Sequence, residues 1–206
     1  MNFRNILKVL VFCLLVEIAT FLSVDHLNEH NRLRRKHGCP DLKLDDNLSN
    51  ECQAHAKTLA EKRDLEHFGN SAKDGENICI RSEKPLRCVQ DWYAEMVKYN
   101  FKKPGYGRHT RHFTALIWRS SETMGYGQAQ DKTGLYWVVA KYYPVGNIKE
   151  EFERNVPKPV DGFEDEFSGV IGRDSEDSAK SSSPQFQSNA FPMLCAYMLS
   201  LCLVNF

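Results

Sequence analysis

The chain lacks the motifs that would commit it to a common catalytic chemistry. It has no HExxH pair, no GxSxG elbow and no glycine-rich nucleotide loop, which removes the usual zinc-protease, serine-hydrolase and dinucleotide-binding readings. No internal repeat is visible, and no charge-free apolar run reaches the roughly 20 residues needed to cross a bilayer. Net charge is missing too, with 27 basic against 27 acidic residues. That balance hides an asymmetry. Residues 25–160 hold 23 Lys and Arg against 19 Asp and Glu, or +4, whereas 161–183 hold 2 against 7, or −5.

What is present reads as one domain with processed ends. The 206 residues, 42% hydrophobic and 26% charged, suit a single core with appendages. Arg4 and Lys8 precede an apolar run from Val9 to Val16, the order of a secretory signal peptide over 1–23, cleaved near 19–24. An uncleaved anchor is the alternative, since no clean small-x-small site precedes Ser23. At the other end Ser181 to Ser183, a polar spacer and the apolar tail 191–206 match a glycosylphosphatidylinositol attachment signal. A tail helix packed on the domain, or a marginal span, would have the same composition.

Cysteine is scarce in the body. Of seven, Cys13 lies in the leader and Cys195 and Cys202 in the tail, which leaves Cys39, Cys52, Cys79 and Cys88. An even number in an exported chain suggests two disulfides, and short separation favours Cys39 with Cys52 and Cys79 with Cys88. Asn47-Leu48-Ser49 is a glycosylation sequon and so a surface position.

Periodicity places a first helix from Val24 to His37, stopped at Gly38. A second runs from an Asp45 or Asp46 cap to about Leu65, burying Leu48, Cys52, Ala56, Leu59 and Ala60, with His67 just beyond it. Pro85 opens a third helix carrying Leu86, Val89, Trp92, Tyr93, Met96 and Val97. A short fourth covers 112–118. Residues 123–130 and 135–143, joined by Asp131 to Gly134, read as a hairpin. Helices before strands argue for α+β. Residues 159–183 read as an acidic, serine-rich stalk.

Singly, the polar residues near these apolar segments say little. His67 suits a helix C-terminus, Glu76 a turn, Glu95 a solvated helical face and His112 a helix start. Their order along the chain says more. Arg111 to Trp118 resembles the first signature of the CAP superfamily of cysteine-rich secretory, venom allergen-like and plant pathogenesis-related proteins, and Tyr142 to Ile148 resembles the second. Glu29 to Arg34, Leu42 to Leu48, Gly75 to Ile78, Trp92 to Glu95 and Met124 to Gly127 follow in family order, so the resemblance spans about 25–156. Ala140 and Lys141 stand where a cysteine and a small polar residue are usual, as in the Golgi-associated branch. The Met1-Asn2 start and the leader depart from that branch.

The resemblance implies a three-layer α-β-α sandwich over 24–158, with His67, Glu76, Glu95 and His112 converging on a cleft. His109 is the nearest competing ligand. Such a tetrad either holds zinc or another divalent ion on its imidazoles, the carboxylates orienting them, or forms a metal-free hydrogen-bonded network. No cofactor is required. The expected function is a secreted or cell-surface, non-enzymatic module binding lipid or sterol, with membrane-surface or glycosylphosphatidylinositol anchorage and a homodimer as further expectations and no nucleic-acid partner. A metal-dependent hydrolase using Glu76 or Glu95 as general base is the alternative. A receptor-binding role would leave no residue signature.

Overall fold

Helix α1 (Phe3–Lys36) runs without a break through the segment expected as a leader and into the domain. The computed structural model describes residues 2–64 and 75–160, without the side chains of 3 and 12–21. The helix expected to begin at Val24 therefore begins 21 residues earlier, because nothing between Val16 and Val24 interrupts helical propensity. Its described leader residues Leu7, Val9 and Leu10 are about half exposed. Among the described residues no helix is long and apolar enough to cross a membrane. At the far end Gly38 adopts φ +63°, the left-handed conformation that ends a helix cheaply only at glycine.

Strand β1 (Lys43–Leu44) leads into α2 (Asp46–Lys62). Asp45 caps α2 by accepting from the Leu48 amide at 2.9 Å. The helix ends at Lys62, three residues short of the expected end, and Arg63 closes it in the left-handed region. Strand β2 (Glu76–Arg81), α3 (Arg87–Ala94) and a 3-10 turn (Glu95–Lys98) follow. Then come α4 (Arg111–Leu116), β3 (Thr123–Gln130), β4 (Tyr136–Tyr143) and α5 (Phe152–Asn155). The hairpin lies where the sequence puts it; β1, β2 and α5 are additions.

The four strands form one sheet in the order β1-β3-β4-β2, antiparallel except for the β1–β3 pair. Strand alternation assigns its two faces. Ile78, Trp137 and Val139 point to α2 and pack on Cys52, Ala56 and Leu59. Asn77, Tyr126 and Tyr142 point the other way, towards α1 and α4. The result is the expected α+β sandwich, α2 on one face and α1, α3 and α4 on the other.

Gly125 and Gly127 set the distance between α2 and the sheet. A Cβ on Gly127 would lie 2.2 Å from the Gln53 amide nitrogen, and one on Gly125 2.2 Å from the Leu48 carbonyl carbon. Backbone touches backbone at both places. On the opposite face Arg34, fully buried, fastens α1 to the chain beyond α4. It donates to the carbonyls of Pro40, Leu116, Trp118 and Ser121 at 2.9–3.0 Å.

The cysteine expectation is half right. Cys79 of β2 and Cys88 of α3 are bonded, but Cys39 and Cys52 are free and buried. Cys52 faces the sheet from α2, while the Cys39 thiol donates to the Ile117 carbonyl at 3.1 Å, so each is already used in packing. Sequence proximity pairs cysteines only when their side chains point at each other.

Candidate functional site

His112 stands in the first turn of α4, whose cap residue Thr110 contributes no side-chain bond. Glu95 caps the helix instead, from the adjoining 3-10 turn. One carboxylate oxygen accepts from the His112 and Phe113 amides at 2.9 and 3.2 Å, the other meets His112 Nδ1 at 2.7 Å. Two otherwise orphaned amides are satisfied and the imidazole is fixed in one gesture. Burial pushes the Glu95 carboxyl up, but the His112 ring and the two amides outweigh it and hold the group below its ordinary value. Because the carboxylate can only accept, Nδ1 carries a proton, and Nε2 has no hydrogen bond among the described residues. The ring is about one-fifth exposed.

Glu76 opens β2 and pairs elsewhere. Its carboxylate, fully buried, meets Nδ1 of His55 on α2 at 2.9 Å. His55 was not singled out by the sequence. It lies between Cys52 and Leu59 on the buried stripe of α2, and a histidine inside an apolar stripe is the signal that would have found it. Glu76 and Asn77 are neighbours on a strand and point to opposite faces. Asn77 Nδ2 donates to the His112 carbonyl at 3.0 Å and to Tyr142 Oη at 3.1 Å. The two His–Glu pairs therefore flank the start of β2, one on each side of the sheet. His67 lies outside the described residues.

The network behind Asn77 has one consistent proton arrangement. His30 Nδ1 donates to the His26 carbonyl at 2.7 Å, so its Nε2 accepts from Tyr142 Oη at 2.9 Å, and that oxygen accepts from Asn77. His37 repeats the pattern, donating to the Pro157 carbonyl at 2.8 Å and accepting from Tyr93 Oη at 3.0 Å. Burial pushes His30 and His37 down to about 4. His26, stacked on Tyr126 at 3.9 Å, is pushed to about 3 by burial and by His30, and its Nδ1 has no partner among the described residues.

As metal ligands these residues divide. A carboxylate holding Nδ1 while Nε2 stays open is how metal-binding imidazoles are usually oriented, so His112 fits the role and Glu95 fits that of its orienting acid. Glu76 meets His55 among the described residues. Among the described residues, three ligand atoms within 4.8 Å of one another occur only at Cys79, Cys88 and Asp91, where the disulfide uses both sulfurs. An ion at His112 would need a further imidazole.

An apolar groove lies apart from both pairs. Leu22 and His26 of α1 face Pro85 and Leu86 across a cavity of about 350 Å³, with Lys84 and Arg87 beside it.

A sandwich of this topology is the fold of a family of secretory proteins. The chain belongs to that family: residues 27–142 match the CAP, cysteine-rich secretory protein family model. It is 42% identical over 139 residues to human Golgi-associated plant pathogenesis-related protein 1, covering 65% of this chain and 90% of that protein. It is 32% identical over 153 residues to pathogenesis-related leaf protein 6 of Solanum lycopersicum, covering 68% and 92%. The structure of venom allergen-like protein 4 of Schistosoma mansoni superposes with a TM-score of 0.55 at 19% identity, over 66% of this chain and 95% of that one. That likeness concerns the fold.

Proposed function

We propose that the chain is an exported, non-enzymatic module that binds a lipid, a fatty acyl chain or sterol, in the groove between α1 and the start of α3. The observation that carries this reading is the groove itself, walled by Leu22, Pro85 and Leu86, with Lys84 and Arg87 outnumbering the one lining acid, Asp25, at its edge. Leader cleavage after Leu22 would leave Pro85 and Leu86 as the apolar wall, with His26 opposite. The state of the acids supports a binding role over hydrolysis. Both oxygens of Glu95 are engaged and Glu76 is buried against His55, so neither presents a free carboxylate to a water.

The test is uptake of a radiolabelled fatty acid and a sterol by the full chain. Leu86→Asp should abolish uptake of whichever binds, while His112→Ala should leave it intact. Loss with His112→Ala in a folded protein, or uptake untouched by Leu86→Asp, would overturn the assignment of the groove. Release of the protein from cells by phosphatidylinositol-specific phospholipase tests the anchor.

The orientation of His112 favours a second reading, a divalent ion on its Nε2 with His67 as the second imidazole. Bound there, an ion would supply Lewis acidity and a bound water. This chain's residues would orient one ligand through Glu95 and hold α4 through Asn77. Zinc binding by calorimetry should weaken by about tenfold or more in Glu95→Gln if the carboxylate is the orienting group.

A further inference from the structure

The chain carries one Asn-X-Ser/Thr sequence, Asn47-Leu48-Ser49, and neither the apolar groove nor the His–Glu pairs use it. The fold places it in the first turn of α2, directly after the Asp45 cap. Asn47 is exposed, and its side chain makes no hydrogen bond or ion pair among the described residues. It opens the solvent-facing stripe of the helix. Asn50, Glu51, Ala54, Lys57 and Thr58 follow at the three- and four-residue spacing that keeps side chains on one helical face, and all are exposed. A group attached to Nδ2 therefore projects into water over small or polar neighbours.

The other two positions are tied to the sheet. The Leu48 backbone lies so close to β3 that a Cβ on Gly125 would stand 2.2 Å from its carbonyl carbon. Ser49 Oγ donates to the Asp45 carbonyl at 2.8 Å and accepts from the Tyr126 amide at 3.4 Å. The hydroxyl that defines the acceptor sequence is thus occupied once α2 has docked, so attachment belongs to the newly made chain, before β3 closes on α2. The finished fold then keeps the asparagine outside, and a bulky group on it displaces nothing. Because α2 covers the face of the sheet opposite α1 and α4, such a group also stands away from the apolar groove beside α1.

From this arrangement we infer that Asn47 is a site of N-linked glycosylation. The donor is an oligosaccharide carried on a lipid diphosphate. Nδ2 gives up one proton and bonds to the anomeric carbon of the first sugar, while the bond from that carbon to the diphosphate oxygen breaks and the diphosphate leaves with the electron pair. Nothing is oxidised or reduced. The inference rests on the proposed export, since the reaction belongs to secreted chains.

The experiment expresses the full chain in secreting mammalian cells and treats the product with peptide N-glycosidase in heavy-oxygen water. Treatment should speed migration on a denaturing gel, and peptide mapping should find a heavy-oxygen aspartate at position 47. Asn47→Gln should abolish both signals. Since the Asn47 side chain has no internal partner, that variant should melt like glycosidase-treated wild type, which separates loss of the glycan from misfolding. Ser49→Ala should abolish the signals too, and Ser49→Thr, which restores the hydroxyl, should keep them. Protein recovered from the medium without a shift, a shift that survives Asn47→Gln, or a tag only at another asparagine overturns the site and leaves export standing. Protein found only inside the cell, with residues 1–23 attached and no glycan, overturns the site and the export together.

Discussion

At the scale of residues, two histidines in α1 and the one that caps it are kept neutral by burial, and this fixes the direction of the acid response. His26, His30 and His37 have folded pKa values of about 3 to 4 against 6.5 for the ordinary side chain. The folded values lie below the unfolded ones. Above about pH 6.5 both states are neutral and the histidines contribute no pH dependence; below it the unfolded chain takes up protons first, and stability falls until pH drops through the folded values. Each histidine adds a slope of up to about 1.4 kcal/mol per pH unit between those limits. Urea midpoints from pH 7 to pH 4 should therefore fall steeply. His37→Gln should flatten that fall by about a third; an unchanged slope would mean that His37 is already charged in the fold. Glu95 acts at lower pH, because its folded value is depressed: its contribution is present above the ordinary carboxylate range and lost as pH falls through the depressed value. Replacing the cap with Glu95→Ala should cost about 0.5–2 kcal/mol near neutrality, read from the same urea curves.

Elements differ in how far the sequence reveals them. The β3–β4 hairpin was plain because aromatic and β-branched residues flank a tight Asp131-Lys132-Thr133-Gly134 turn, and α2 was plain because Asp45 caps a stripe of small apolar residues. Strand β2 was missed because only its pairing with β4 distinguishes Glu76-Asn77-Ile78-Cys79 from a turn, and a partner 60 residues away leaves no local mark. The same limit applies to the site. Glu95 and His112 stood out by family position, whereas their contact, and the contact of Glu76 with His55, are tertiary facts. Glycine behaves likewise, since its spacing is visible and its reason is not. The backbone contact at Gly127 predicts that Gly127→Ala destabilises by about 3 kcal/mol or more, since neither α2 nor β3 has a flexible atom to yield. Gly105→Ala, which meets nothing within 4 Å, should stay within about 1 kcal/mol. Comparable losses in thermal melts of the two variants would contradict close packing of α2 on the sheet.

For the whole molecule, the thiols decide how the body is tied together in an oxidising compartment. The Cys79–Cys88 bond joins β2, which carries Glu76, to α3, which leads into Glu95, so the elements bearing both acids are covalently linked. Trp92 supports the same junction by donating to the Ile78 carbonyl at 3.3 Å. Removing the bond releases a loop of about ten residues in the unfolded chain, worth about 2–3 kcal/mol, so Cys79→Ala with Cys88→Ala should lower the urea midpoint without loss of fold. Cys39 and Cys52 lie on separate layers, and burial pushes the Cys52 thiol up to about 12, which leaves almost no thiolate to react. Peptide mapping of the protein after alkylation without reductant should find Cys79 linked to Cys88. Cys39 and Cys52 should be modified only when the alkylating agent is added in denaturant. A Cys39–Cys52 peptide would require the chain after α1 to leave its contact with Ile117 and reach the far face of the sheet, and would refute the layer arrangement on which both proposed binding sites rest.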